Sequence, residues 1–189
     1  MKTMKSLLVA VLVLVSGSIY AQDFTVNEAK STVKWEGKKI GGAHNGHIGI
    51  KEGKFSVKGD KLASGTFVID MQSITNDDLE DPGYNEKLIG HLKSDDFFSV
   101  GEYPTATLKI TESTKFKSDK ATVTGDLTIK GKTNPIEFEV TRQGKVFTGV
   151  LVVDRSKYDV RYGSKSFFDN LGDKVIYDEF TLDVKLVTE

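Results

Sequence analysis

Five stretches of the chain alternate apolar and polar positions almost without error. Val33 and Trp35 alternate with Thr32, Lys34 and Glu36. Ala106, Leu108 and Ile110 alternate with Thr107, Lys109 and Thr111. Val123, Leu127 and Ile129 alternate with Thr124, Asp126, Thr128 and Lys130. Ile136, Phe138 and Val140 alternate with Glu137, Glu139 and Thr141, and Phe180, Leu182, Val184 and Leu186 with Thr181, Asp183 and Lys185. Successive side chains on a strand point to opposite faces, so each stretch has one apolar and one wet face. Such strands, joined in series without long helices between them, predict an all-β antiparallel sandwich or barrel. A barrel of about eight strands is just wide enough to hold one small ligand.

The remaining segments fit around these strands. His44 to Ile50 and Phe55 to Val57 read as strand-like pieces joined by a turn at Lys51–Gly53, and Leu62 to Asp70 as a further strand. The series is then interrupted. Leu88, Leu92 and Ile89 fall three and four apart, which predicts a helix over Asn85–Ser94, with Asn85 as its cap. Pro104 and Pro135 are expected where strands begin, because a missing N–H is tolerated there. Val146 to Val153 is apolar on both faces apart from Thr148 and reads as a central strand. Asp154 to Gly163 is more polar, and Ser166 to Asp173 is a bend before the last strand. Gly59, Gly65, Gly125, Gly131 and Gly149 read as turns and bulges of a curved sheet.

The first residues stand apart from this pattern. Lys2 and Lys5 precede the apolar run Leu7 to Val15, which is shorter than the ~20 residues a bilayer span requires. Ser16, Gly17, Ser18 and Ala21 supply a small-residue exit, so residues 1–21 are expected to be a secretory signal peptide cleaved after Ala21. No Cys follows to accept a lipid, so no stable membrane anchor is expected after processing. The protein is then periplasmic or secreted. Removing 21 residues from 189 leaves 168, which suits one domain, 22–189. It takes two of the 26 basic side chains and leaves 27 acidic ones, a net charge of −3. That near-balance gives no electrostatic reason to expect nucleic acid. A Cys-free exported chain draws its stability from sheet pairing and apolar burial.

The candidate chemistry is sparse. His44 and His47 lie three apart, which puts them on opposite faces of a strand, and His91 is remote in the helix. That spacing offers no metal site. Asp77, Asp78, Glu80 and Asp81 lack the alternating ligand pattern of a calcium loop and read as a solvated loop. Glu137 and Glu139 face water. No G-x-S-x-G, phosphate loop or cofactor motif appears. The expectation is no catalytic residue, no metal and no cofactor. Phe97-Phe98 and Phe167-Phe168 are adjacent pairs, so one of each covers a barrel end or sits on a bend. The inward faces and these pairs either fill the barrel solidly or line a cavity, and the pattern alone does not choose.

Leu88 to Phe98 (LIGHLKSDDFF), Tyr103-Pro104, Gly125 to Gly131 (GDLTIKG), Ser166 to Leu186 and the early Gly42-x-His44-x-Gly46 together resemble the YceI-like family of bacterial exported proteins. The resemblance runs through nearly the whole mature chain and leaves out the acidic loop Asn76–Tyr84. It implies a lipocalin-like antiparallel barrel with one or two short helices and an elongated apolar tunnel. It also implies binding of a long amphiphilic chain (an isoprenoid quinone, isoprenyl phosphate or fatty amide), no enzymatic activity, and a homodimer in some members.

Alternation and the aromatic pairs nominate the tunnel lining: Trp35, Phe67, Ile69, Leu92, Phe97, Leu108, Ile110, Leu127, Ile129, Phe138, Val140, Phe167 and Leu182. Arg155, Tyr158, Arg161 and Tyr162 are the candidates for a polar ligand head. Two other functions compete with a carrier: an enzyme acting on such a lipid, with His91 or a carboxylate as general base, and a solid structural barrel. N-terminal sequencing of protein recovered from its native compartment is expected to begin at Gln22, within a residue or two. A full-length chain retained in a membrane would contradict export.

Overall fold

The computed structural model describes residues 21–189; the charged start and apolar run of the proposed leader lie outside them. One antiparallel sheet of ten strands dominates. Its strands are β1 (Gln22–Thr25), β2 (Thr32–Lys39), β3 (Gly42–His47), β4 (Gly49–Lys58), β5 (Lys61–Asp70), β6 (Thr105–Ser113), β7 (Lys120–Ile129), β8 (Lys132–Gln143), β9 (Val146–Asp154) and β10 (Ile176–Val187). The hydrogen-bonded order is β1-β4-β5-β6-β7-β8-β9-β10-β2-β3. A helix, α1 (Pro82–Lys93), fills the interruption between β5 and β6. The strands exceed the expected eight because β1 is only four residues long and because β3 and β4 are separate ladders.

The two ends of this order come together. β3 and β4 are parted only by Ile48, whose N–H donates to Val33 O of β2 at 3.0 Å. Before Ile48 the chain pairs with β2; after it, with β5 and β1. β1 in turn reaches β10, through the Val26–Thr188 bridge and the Asn27 N–H on Val187 O. The break in this long strand therefore lies at Ile48, not at the Lys51–Gly53 turn expected from sequence. Lys51 is instead the extra residue of a bulge between Ile50 and Glu52. A bulge bends its strand and increases twist, which is what a closing sheet needs. A second bulge faces Gly125 between Ile110 and Glu112. A Cβ on Gly125 would stand 2.7 Å from Lys109 O, so only glycine admits that approach.

The alternation read from sequence is the inside–outside pattern of the shell. Val123, Leu127 and Ile129 of β7 are buried while Thr124 and Asp126 are not. Glu137 and Glu139 face water. β9 lies between β8 and β10, but its outward valines cover nothing: Val150 is 55% and Val152 52% exposed. Pro135 lies inside β8, paired with Asp126, and not at the strand start. β9 pairs with β8 only over Val140–Gln143, so the N–H that Pro135 lacks has no β9 ladder to serve.

All loops at one end of the shell belong to the β2–β3 turn, α1, the turns after it, the β7–β8 turn and the stretch 155–175; this is the helical end. The far end carries the β4–β5, β6–β7 and β8–β9 turns, the start of β1 and the end of β10. There, Phe24, Phe55 and Phe147 form a packed triad: Phe24 stacks on Phe55 with centroids 5.0 Å apart, and Phe55 meets Phe147 edge-on at 4.9 Å. Phe24→Ala is expected to lower unfolding stability by about 3–5 kcal/mol, the usual cost of emptying a buried phenylalanine site. Val150→Thr, on the wet face, should stay within about 0.5 kcal/mol. Denaturant titration reads both.

Candidate ligand tunnel

The interior is not solid. A cavity of about 250 Å³ lies within the shell, lined by inward strand positions, by α1 and by residues of the segments that follow β5, α1 and β9. It touches both apolar clusters of the core. One is gathered around Met71, Ile74, Phe97, Val153 and Val160 at the helical end, and the other around Phe24, Phe55, Val123 and Phe147 at the far end. Leu108 and Phe138 pack against both clusters, so they mark the middle of the tunnel.

Trp35, Phe67, Ile69, Leu92, Phe97, Leu108, Ile110, Leu127, Ile129, Phe138, Val140 and Leu182 all lie in this wall. Phe167 does not. It is 38% exposed, on the turn after Ser164, with the Arg161 guanidinium 5.0 Å over its ring. The adjacent-pair rule placed it inward, but no strand runs there to give the residue an inner face. Phe98 joins Phe97 in the wall, so that pair sits on a bend in which both rings turn inward.

α1 starts three residues before the position expected. Asp81, not Asn85, caps it, accepting from the Tyr84 N–H at 3.0 Å with Pro82 in the first turn. Asn85 instead anchors the preceding loop through its amide, which donates to Asn76 O and Leu79 O. Leu88, His91 and Leu92 face the tunnel. No residue of α1 is fully buried, so it closes the wall without being embedded in the core.

Of the four polar candidates, only Arg155 touches the tunnel. β9 ends at Asp154, and residues Arg155–Tyr158 form a short 3-10 turn. Arg155 is 2% exposed. Its Nε donates to Tyr177 O, Nη1 to Val160 O and Nη2 to Ile176 O. Burial lowers the guanidinium pKa from its ordinary value, against the pull of Asp178 and Asp154. Those donors tie the 155–160 segment to the start of β10. Tyr158 is buried beside it, and burial, with Asp154 nearby, pushes its phenol up to about 12. Arg161 pairs with Asp159 at the surface. Tyr162 is exposed but edge-on to His91, with centroids 4.4 Å apart. The charged tips in this segment are thus spent on local backbone and on one another.

The histidines and the acidic loop form a structure that sequence reading missed. Residues 74–78 run along β3 as a strap. Thr75 N–H donates to His47 O and Asp77 N–H to Asn45 O. Trp35 Nε1 reaches Thr75 O at 2.9 Å. A Cβ on Gly46 would overlap Thr75 O, so glycine is required for the strap to lie so close. His44 pairs with Asp78 and His47 with Asp77, each at 2.7 Å. Burial raises the Asp78 carboxyl, but the Asn45 N–H, His44 and the Asn76 amide outweigh that and leave it below its ordinary value. The loop expected to be merely solvated therefore covers the free edge of β3. His91 Nε2 is buried without a hydrogen-bond partner among the described residues, and the ring packs edge-on against Phe97 and Tyr162. Among the described residues, no three His, Cys, Asp or Glu side chains group as metal ligands.

With this geometry in view, comparison with known proteins is specific. The model of the YceI-like domain matches residues 24–188. A UPF0312 protein of Vibrio cholerae is 26% identical over 140 residues, 71% of this chain and 70% of that one. A UPF0312 protein of Pseudomonas paraeruginosa is 44% identical over 55 residues, but the match spans only 28% of its length. Among solved structures, Burkholderia cenocepacia BcnA superposes with a TM-score of 0.64 at 29% identity, covering 87% of this chain and 99% of BcnA. A polyisoprenoid binding domain from Saccharophagus degradans, implicated in plant cell wall breakdown, superposes at 0.59 and 14% identity, covering 88% and 97%.

Leu92 is half-buried, so Leu92→Ala is expected to cost about 1–2 kcal/mol, below the 2–5 of a fully buried leucine. Chemical denaturation measures it. A loss indistinguishable from a surface substitution would mean that α1 is not a packed wall.

Proposed function

We propose, since the chain belongs to the YceI-like family, that it is an exported binding protein that holds one long, largely hydrocarbon amphiphile in its tunnel. The observation that carries this reading is the continuous cavity between the two apolar clusters, walled by inward positions of the strands and by α1. A preformed apolar cavity is the usual form of a small-molecule site. The fold is shared with a polyisoprenoid binding domain, which favours an isoprenoid quinone, an isoprenyl phosphate or a similar lipid as the occupant. Each buried methylene contributes about 0.8 kcal/mol, so a long chain binds tightly with few polar contacts.

The charged groups near the rim are used structurally: His44 and His47 are held by separate aspartates of the 74–78 strap, and Arg155 by backbone carbonyls. Export is part of the same proposal. A lipid that must cross an aqueous compartment between membranes needs a carrier that hides its hydrocarbon from water.

Mass spectrometry of an organic extract from the purified protein is expected to find one long-chain lipid. Binding of added lipid should depend strongly on chain length and weakly on salt. Leu108→Trp, placed at mid-tunnel, should weaken binding of long chains while the thermal transition stays cooperative. Affinity that ignores chain length and collapses in modest salt would replace the tunnel with a charged surface site.

A further inference from the structure

The tunnel is polarised along its length. The ionisable side chains that touch it, Lys38, Lys39, His44, His91, Arg155 and Tyr177, all come from elements at the helical end. At the far end the lining is Phe55, Leu62, Val123, Val140, Phe147 and Leu186, with no polar side chain among them. An amphiphile therefore meets polar partners only at the helical end, and its hydrocarbon tail points to the far end.

The far end is also shut. Phe55 and Phe147 meet edge-on across it, Phe24 stacks behind Phe55, and the Arg142 guanidinium lies 5.4 Å over both Phe24 and Phe147. The surrounding turns are laced by backbone hydrogen bonds: Thr188 N–H to Lys145 O, Glu189 N–H to Thr25 O, Phe116 N–H to Asp60 O, and Arg142 N–H to Asp119 O. Phe55, Ile110 and Phe67 crowd together over the bare backbone of Gly65. Gly65 is the direct partner of Phe55 on β5, and a Cβ there would stand only 3.0 Å from the Phe55 Cβ. Close-packed groups of this kind do not yield to an extra methylene without strain. By contrast, α1, which forms part of the wall at the helical end, has no fully buried residue.

We propose that the Phe55–Phe147 pair is a chain-length ruler: it stops the tail of the bound amphiphile, so the tunnel selects ligands by the number of carbons between the polar head and this aromatic plug. The inference rests on the reading of the tunnel as a lipid site and adds to it the residues that set specificity.

Straight-chain primary fatty amides of increasing length, titrated calorimetrically, test it. With the native chain, affinity should rise about fourfold per methylene up to one length and then stop rising. Phe147→Leu should move that stop to longer amides, and Leu62→Phe, which fills space beside the plug, to shorter ones. Leu88→Ala, at the helical end, should change affinity without moving the stop. Thermal melts confirm folding of each variant, and Phe55→Leu takes the place of Phe147→Leu should the latter fail to fold. An unmoved stop in both folded plug variants, or an equal shift in Leu88→Ala, overturns the ruler while leaving the lipid site standing. Absence of binding at every chain length overturns both.

Discussion

A sheet edge presents unpaired N–H and C=O groups, and these must be paired or covered. In this molecule that constraint turns a run of strands into a container. The stretch from Gly42 to Lys58 serves both edges. Its first half satisfies β2 and, after the bend at Ile48, its second half satisfies β1 and β5. β1 then closes the gap to β10 at the far end. The one long side still open, the outer edge of β3, is covered by the strap at residues 74–78. Without these closures the inward faces of the strands would not surround a common space.

Closure also explains why the interior is hollow. The strands supply one apolar side chain every second residue, and where aromatic rings pack against one another they close the space between the walls. At the far end Phe24, Phe55 and Phe147 meet. In the middle, around Leu108 and Phe138, space is left between opposite walls. At the helical end α1 covers the opening with half-buried residues, beside buried residues of the turns such as Phe97 and Val160. Polar groups come into reach there because the chain is leaving the sheet, and backbone that is no longer in a ladder needs partners such as Arg155.

The buried guanidinium and the strap show the same economy. Arg155 carries a charge in an apolar surrounding, which burial disfavours, yet its donors are spent on the carbonyls of Tyr177, Val160 and Ile176. It fastens the 155–160 segment to β10 at the rim of the tunnel. His44 and His47 fasten the strap from opposite faces of β3, each to its own aspartate. These polar side chains hold the rim in shape, and the wall of the cavity is left apolar.

The sequence by itself determined which faces of the strands are apolar, because a period of two leaves little freedom once one face is buried. Trp35, Leu108, Leu127, Phe138 and Leu182 were legible as inward positions for that reason, and Leu88 and Leu92 as a helix face. Phe167 was misread because it lies outside any regular element, where no period says which way a side chain points. Arg161 and Tyr162 were grouped with Arg155 by proximity along the chain, but the turn after Asp154 sends only Arg155 to the tunnel. Whether the inward faces meet in a solid core or leave a cavity, that the acidic loop binds β3, and that the far end is sealed by three phenylalanines from β1, β4 and β9 were decided only by tertiary structure. Each depends on the distance between residues far apart in the chain, which sheet closure sets and no local pattern encodes.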